Sequence, residues 1–74
     1  MPKLPILSGT RIQKILKKYG YELDHQTGSH LILRQKEFPY RRITVPKHKS
    51  VSLGTLRAII RETGLRREDF LKKK

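Results

Sequence analysis

The chain has 74 residues, of which 18 are lysine or arginine and only 6 are acidic, so its formal net charge is +12. A chain of this length forms one small domain with a thin core, because small domains bury a smaller fraction of their surface than large ones. It contains no cysteine, which excludes disulfides and cysteine-based metal sites. No apolar stretch approaches the roughly 20 residues that span a bilayer. The N-terminal residues also lack the apolar run of a signal peptide. We therefore expect a cytoplasmic protein with no membrane partner.

The basic residues are clustered along the chain. Positions 1–21 contain five basic and no acidic residues, and positions 38–61 contain six basic and no acidic residues. Clusters of this kind are the electrostatic footprint of phosphate binding, so we expect a nucleic acid as partner. No basic helix carries a broad, aromatic-rich apolar face, which disfavours a membrane surface. Residues 1–6 and 72–74 are expected to be flexible.

The first predicted element is an amphipathic helix that begins after Ser8, whose side chain can cap the first turn. Apolar residues then recur at the spacing i, i+3, i+4, i+7, which is typical of a helix with one buried face. They are Ile12, Ile15, Leu16 and Tyr19. Gly20 is expected to close this helix, because glycine readily adopts the left-handed conformation found there.

Three strands are predicted next. Residues 21–26 alternate apolar and polar side chains, Thr27-Gly28 supplies a turn, and residues 30–35 return as the second strand. A loop with a proline leads to a third strand over residues 41–45. Pro46 is expected to end that strand, because proline cannot donate to a central ladder. The three strands form an antiparallel meander.

A second helix is predicted from Ser52, its N-cap, to Gly64, its terminator. Its buried stripe is Leu53, Leu56, Ile59 and Ile60. Residues 65–71 are expected to add one more turn over the core. The order α-β-β-β-α predicts a single α+β domain over residues 1–74, with a three-stranded antiparallel sheet and both helices on one face. The other face of such a sheet is left to solvent.

Strand alternation predicts which side chains lie on this solvent face. If Leu31 and Leu33 point toward the helices, the neighbouring positions point away from them. The residues expected to lie together on the solvent face are Glu22, Asp24, Gln26, His30, Arg34 and Arg42. A register shift of one residue would instead move His30 into the core.

His30 is the principal candidate functional residue. It is the last residue of Gly28-Ser29-His30, follows directly after the predicted turn and begins the second strand. The ordinary pKa of histidine lies near neutral pH, so an imidazole displayed on a strongly cationic surface suggests general acid–base chemistry on RNA. Taken without further comparison, a histidine at a strand end is more often structural or merely exposed than catalytic.

The motifs of the chain resemble those of one protein family, the HicA toxins of bacterial and archaeal toxin–antitoxin pairs. The resemblance covers nearly the whole chain, in the same order and spacing. The residues that carry it are Leu7-Ser8-Gly9, Gly20-Tyr21, Gly28-Ser29-His30, Val45-Pro46-Lys47-His48, Gly54-Thr55-Leu56-Arg57, Ile60, Thr63-Gly64-Leu65 and Phe70. The chain departs from the family's usual pattern over residues 49–52 and at Arg66, where a serine or threonine cap is common.

The resemblance implies a fold like that of the double-stranded RNA-binding domain and a toxin of a type II toxin–antitoxin system. It further implies an endoribonuclease that cleaves mRNA and is inhibited by a cognate HicB-like antitoxin covering the His30 face. It assigns the catalytic role to His30, and it assigns the positioning of that residue to Gly28 and Ser29.

The chemistry expected for such an enzyme needs no metal or other cofactor. His30 would accept the proton of an RNA 2′-hydroxyl or protonate the leaving 5′-oxygen, a contribution of roughly 10²–10⁴-fold in rate. Arg34, Arg42 or Lys47 could hold the phosphate, and arginine is the better bidentate partner for its oxygens. The three histidines lack the spacing of a metal site.

Two other functions stay open from the sequence. One is a non-catalytic module that binds double-stranded RNA by its shape and phosphates. The other is a protein that acts only by binding an acidic protein partner. The second acid–base residue is also open between Ser29, His48 and a lysine, and His25 is assigned no chemical role.

Overall fold

The computed structural model describes residues 6–71, which form an antiparallel sheet in the order β1-β2-β3 and three helices. The elements are α1 (Gly9–Lys17), β1 (Tyr21–Thr27), β2 (His30–Gln35), β3 (Arg42–Pro46), α2 (Leu53–Thr63) and α3 (Arg67–Leu71). The predicted α+β fold is therefore confirmed. Apart from Ile6, the termini for which flexibility is predicted lie outside the described residues.

The core lies between one face of the sheet and the helices. Sheet and helices contribute to a single cluster of buried side chains: Ile12, Ile15, Leu16, Tyr21, Leu31, Leu33, Ile43, Val45, Val51, Leu56, Ile59 and Phe70. Burying one leucine or isoleucine side chain stabilises a fold by about 1.5–3 kcal/mol, so this cluster accounts for most of the driving force. α1 contacts all three strands, whereas α2 contacts β3 and α3 contacts α1. The other face of the sheet is left without a covering element in the described residues.

α1 begins where the sequence predicts and ends earlier. The Ser8 hydroxyl oxygen accepts a hydrogen bond from the Arg11 N–H at 3.0 Å, which caps the first turn. The helix ends at Lys17, because the last turn tightens into bonds between residues three apart, such as Tyr19 N–H to Leu16 C=O at 2.9 Å. Tyr19 therefore leaves the predicted apolar stripe. It is 38% exposed and donates its hydroxyl to Asp69 at 3.1 Å.

Both predicted ends of α2 are confirmed. The Ser52 hydroxyl oxygen accepts from the Thr55 N–H at 3.2 Å, and Gly64 takes the left-handed conformation with φ +75°. The turn expected after Gly64 is the short helix α3, which buries Phe70. The Arg66 side chain has no oxygen with which to cap α3. The Asp69 carboxylate instead accepts a hydrogen bond from the Arg66 N–H at 2.9 Å. This bond is one half of a capping box, so the missing cap residue is replaced from within the helix.

β1 contains a β-bulge at Asp24 that strict alternation does not predict. Leu23 pairs with Leu33 and His25 pairs with Ile32, so Asp24 and His25 together lie opposite the single residue Ile32. The extra residue changes the phase of the rest of the strand.

The bulge corrects the predicted solvent face at two positions. His25 shares the face of Ile32, whereas Gln26 pairs with the buried Leu31 and belongs to the helix side. Leu23 lies on the helix side as predicted but is 45% exposed. β1 is an edge strand, and Leu23 is less fully covered there than Leu33 on the central strand.

Candidate nucleic-acid interface

The uncovered face of the sheet, called the open face below, contains every predicted phosphate-binding residue that lies in a strand. Its members follow from the register and the bulge: Glu22, Asp24, His25, Thr27, His30, Ile32, Arg34, Arg42, Thr44 and Pro46. Side chains directly opposite one another in an antiparallel pair lie on the same face. The expected grouping of His30, Arg34 and Arg42 on one face is therefore observed.

His30 lies at one end of the open face, beside the β1–β2 turn. Gly28 takes φ +52° in this turn, a conformation that L side chains rarely adopt. His30 pairs with Thr27 on β1 and with Pro46 on β3. Its side chain is exposed, and its imidazole makes no hydrogen bond to the part of the chain that the structure describes. Both ring nitrogens are therefore free to contact a substrate.

The turn is fastened to the loop that follows β3. The Lys47 N–H donates to the Ser29 carbonyl at 2.6 Å, which holds the exposed Lys47 next to the turn that precedes His30. We call Gly28, Ser29, His30 and Lys47 the turn end of the open face. The predicted positioning residues and one predicted phosphate ligand thus come together with His30.

The start of α1 supports this end from behind. The Gly9 N–H donates to the His48 carbonyl at 2.9 Å, and a Cβ atom at Gly9 would overlap the Pro46 carbonyl oxygen. Only glycine permits this approach. The motifs around Gly9, His30 and Pro46, far apart in sequence, are therefore one structural unit. The exposed His48 joins it through its backbone carbonyl, and its imidazole has no partner within residues 6–71.

Arg34 and Arg42 lie at the opposite end of the open face. Arg34 is four residues from His30 on the same strand, a separation of about 13 Å at about 3.3 Å per residue. It pairs with Glu22 on one side and with Arg42 on the other. We call Glu22, Asp24, Arg34 and Arg42 the arginine end. The two predicted arginine ligands therefore belong to a different part of the surface from His30.

Acidic side chains offset the positive charge of the arginine end. Like charges directly opposite each other on a sheet are destabilising, and Asp24 compensates with a carboxylate oxygen 3.6 Å from the Arg42 Nε. The Arg34 Nε is buried and has no hydrogen-bond partner among residues 6–71. The pKa of Asp24 is lowered chiefly by its hydrogen bond with His25. Burial is the second-largest effect and opposes this shift, and the charges of Arg42, His25 and Arg34 lower the pKa further.

The hydrogen bond between Asp24 and His25 is the feature of the open face that sequence reasoning missed. The Asp24 Oδ2 lies 2.9 Å from the His25 Nδ1. Regular alternation would put neighbouring residues of β1 on opposite faces, and only the bulge brings these two side chains together. An Asp-His dipeptide carries no signal for a bulge, so the sequence offered no means of finding this pair.

Further basic residues adjoin the arginine end without being predicted as ligands. Arg41 and Arg61 line a cavity between β3 and α2, together with Arg42 of the arginine end, Tyr21, Ile43 and Glu62. The loop between β2 and β3 exposes Phe38 and Tyr40, whose rings meet edge to face at a centroid distance of 6.2 Å. Arg41 and Arg61 therefore extend the cationic surface beyond the open face, and Phe38 and Tyr40 add an exposed aromatic pair.

Residues 6–71 contain neither a metal-binding cluster nor a membrane-spanning helix. No three histidine or acidic side chains come together as a metal-binding cluster. None of the helices is long and apolar enough to cross a membrane.

A comparison with protein families identifies the chain. The family described as HicA toxin of bacterial toxin-antitoxin matches residues 9–65, a stretch that begins at the glycine under the turn end and includes the whole sheet and α2. The chain belongs to the HicA toxin family. It is therefore a toxin of a toxin–antitoxin system, and this membership implies an antitoxin as its partner. Searches among curated proteins and among solved structures gave no significant match.

Proposed function

We propose that this toxin is a metal-independent endoribonuclease that cleaves mRNA, with His30 as a general acid or base. One observation carries the proposal above all: within residues 6–71 an exposed imidazole with both ring nitrogens unbonded lies on the uncovered face of a sheet, in a chain of net charge +12. Its strand begins at a turn held by backbone hydrogen bonding. A proton-transfer group needs such a fixed support and access to substrate.

The reaction uses the nucleophile that RNA itself contains. The 2′-hydroxyl loses its proton and its oxygen bonds to the neighbouring phosphorus, while the bond from phosphorus to the 5′-oxygen breaks and that oxygen takes up a proton. The products are a 2′,3′-cyclic phosphate and a 5′-hydroxyl. His30 supplies one of the two proton transfers, which contributes about 10²–10⁴-fold in rate. Action on mRNA is consistent with a cytoplasmic location.

The two ends of the open face bind different phosphates in this proposal. Lys47 neutralises the phosphate being cleaved, beside the turn formed by Gly28 and Ser29. Arg34 and Arg42 hold a phosphate further along the strand, because they lie about 13 Å from His30. Each such contact releases counterions from the RNA, so binding weakens as salt rises.

The antitoxin partner is proposed to be HicB-like and to cover the His30 face. A basic surface is readily occluded by a partner of complementary charge. Coverage of the turn end would block access to His30 and Lys47 together, and would therefore inhibit both proton transfer and phosphate binding.

The test is cleavage of RNA by the purified toxin in EDTA, with the ends of the fragments mapped. Wild type is expected to leave cyclic phosphate and 5′-hydroxyl ends, and His30→Ala to cleave about 10²–10⁴-fold more slowly. His48→Ala is the matched control, because its exposed imidazole lies outside the sheet and has no partner in the described residues. RNA binding without cleavage, equal in wild type and His30→Ala, would instead identify a non-catalytic RNA-binding module and refute the proposal.

A further inference from the structure

His25 and His30 are diagonal neighbours across β1 and β2. His25 pairs with Ile32 and His30 pairs with Thr27, so each histidine is two residues from the partner of the other. Such diagonal positions on one face of an antiparallel pair are about 7–8 Å apart, within reach of each other for aromatic and long side chains. Both side chains are exposed on the open face. A group the size of one phosphodiester can therefore lie between the two imidazoles.

Asp24 determines which nitrogen of His25 faces the substrate. The lowered pKa of Asp24 keeps its carboxylate ionised at neutral pH, and an ionised carboxylate can only accept hydrogen bonds. The His25 Nδ1, 2.9 Å away, must therefore be the donor. In the neutral ring the remaining nitrogen, Nε2, is then an acceptor. His25 is presented with a free lone pair and with its ring orientation held by a hydrogen bond.

We propose that His25 is the second proton-transfer residue of the toxin, acting as the base while His30 acts as the acid. The inference rests on the proposed ribonuclease function. The His25 Nε2 takes the proton of the 2′-hydroxyl as the 2′-oxygen bonds to phosphorus. The protonated His30 gives its proton to the 5′-oxygen as the bond to phosphorus breaks. Exchange of one proton with water then restores both rings.

The other residues left open by the sequence lack this arrangement. The His48 imidazole belongs to the loop after β3 and has no partner that orients it within residues 6–71. Ser29 holds the turn through its carbonyl, and no hydrogen bond of its hydroxyl is found in that part of the chain. A base acts efficiently when a third group fixes its orientation, and on the open face only His25 has such a group.

The charged groups around His25 come from all three strands. Glu22 and Asp24 lie on its own strand, His30 and Arg34 on β2, and Arg42 on β3. Cleavage by one neutral and one protonated histidine should show a bell-shaped pH profile. Such a profile reports one group that must be deprotonated and one that must be protonated.

The decisive experiment uses two RNA oligonucleotides that differ at the cleaved bond. One is natural, and in the other a sulfur replaces the leaving 5′-oxygen. A thiolate leaves without being protonated, because a thiol is far more acidic than an alcohol. On natural RNA, His25→Ala and His30→Ala should each cleave about 10²–10⁴-fold more slowly than wild type. On the sulfur substrate His30→Ala should recover to within about tenfold of wild type, while His25→Ala keeps its full loss, because only the acid has become dispensable.

Gln26→Ala is the control for damage to β1, because Gln26 is the next residue of the strand, belongs to the helix side of the sheet, and loses only one long, exposed hydrogen bond from its amide to the Gly28 carbonyl at 3.3 Å. It should cleave within about threefold of wild type, as expected for a surface substitution of roughly 0.5 kcal/mol or less. Asp24→Asn, which alters the orienting group, should lower kcat and leave KM unchanged, since KM would rise if Asp24 only supported RNA binding.

The outcomes separate the inference from the function on which it rests. If wild type cleaves and His30→Ala does not, but His25→Ala cleaves natural RNA at the wild-type rate, His25 is not a catalytic residue and the inference is refuted. A loss in Gln26→Ala equal to that in His25→Ala would refute it as well, by showing damage to the strand. If wild type itself does not cleave RNA, the proposed function fails first and the inference fails with it.

Discussion

The two ends of the open face are held in place by different means. At the turn end, two backbone hydrogen bonds, Lys47 to Ser29 and Gly9 to His48, join three segments of the chain that are distant in sequence. At the arginine end, the long Arg42 side chain is held by an ionic contact with Asp24, at the base of a single hairpin loop. Proton transfer requires groups fixed to about half an ångström, whereas attraction of a phosphate does not. In the proposed reaction, this difference fits proton transfer by His30 at the first end and phosphate binding by Arg34 and Arg42 at the second.

The largest expected effect comes from breaking the support of the turn end. In Gly9→Ala the added methyl group overlaps the Pro46 carbonyl oxygen, so either α1 or the loop after β3 must move. The free energy of unfolding should fall by about 3 kcal/mol, the upper part of the range for overpacking. Urea denaturation measures this change. Gly54→Ala is the control, because its methyl group meets nothing within 4 Å and alanine favours the helix. Equal stability of the two variants would show that the turn end is not held from behind.

The next largest effect is the loss of kcat/KM when one proposed phosphate ligand is removed from each end. Lys47→Gln should lower kcat/KM for RNA about tenfold or more, because a hydrogen bond to a charged group contributes roughly 1.5–3 kcal/mol. Arg42→Gln should lower it only about threefold, since an exposed charge already paired with Asp24 is worth less than about 1 kcal/mol. Initial cleavage rates at low substrate concentration give both numbers. A larger loss in Arg42→Gln would move the cleaved phosphate to the arginine end.

The salt dependence of RNA binding should change by the same amount when a cation is removed from either end. Each lysine or arginine that neutralises a phosphate of single-stranded RNA contributes about 0.7 to the slope of log K against log salt. Lys47→Gln and Arg34→Gln should therefore each reduce this slope by about 0.7, although they differ in their effect on cleavage. Binding titrations of a fluorescent RNA at several salt concentrations supply the slopes. An unchanged slope in either variant would remove that residue from the phosphate contacts.

The smallest effect is the pH dependence of the arginine end. Because the pKa of Asp24 is lowered from its ordinary value of 3.8, its contribution to stability is full above about pH 4 and is lost as the pH falls through the lowered value. Asp24→Asn removes this contribution. The difference in unfolding free energy between wild type and variant should therefore be constant near neutral pH and shrink in acid. A difference that grows in acid would contradict the assigned direction.

Local signals predicted most of the scaffold. The side chains of Ser8 and Ser52 cap the first turns of α1 and α2, and Gly64 ends α2, as the sequence predicts. The strand that begins at His30 also has its predicted limits. The errors arise where contacts between distant segments determine the local conformation. Tyr19 leaves the helix and bonds to Asp69, fifty residues away, which no local pattern encodes.

The sequence predicted which residues of β2 and β3 share the open face, but not every residue of β1 that lies beside them. Alternation placed His30, Arg34 and Arg42 on one face, as observed, because β2 and β3 are regular. The separation of His30 from Arg34 follows from their spacing of four residues along the strand, whereas the position of Lys47 beside the turn depends on its backbone bond to Ser29, which no local pattern encodes. The phase of β1 was lost at Asp24, because a bulge depends on how two strands pair rather than on either strand alone.

The bulge has a consequence for chain length. Asp24 is the one residue of β1 without its own partner, and the residues on either side of it already alternate correctly against β2. Deleting Asp24 would therefore leave a shorter, regular ladder in which Leu23 still pairs with Leu33 and His25 with Ile32. Asp24, whose carboxylate lies beside His25, is thus an extra residue in the strand. One codon can add or remove it without changing the pairing of any other residue in the sheet.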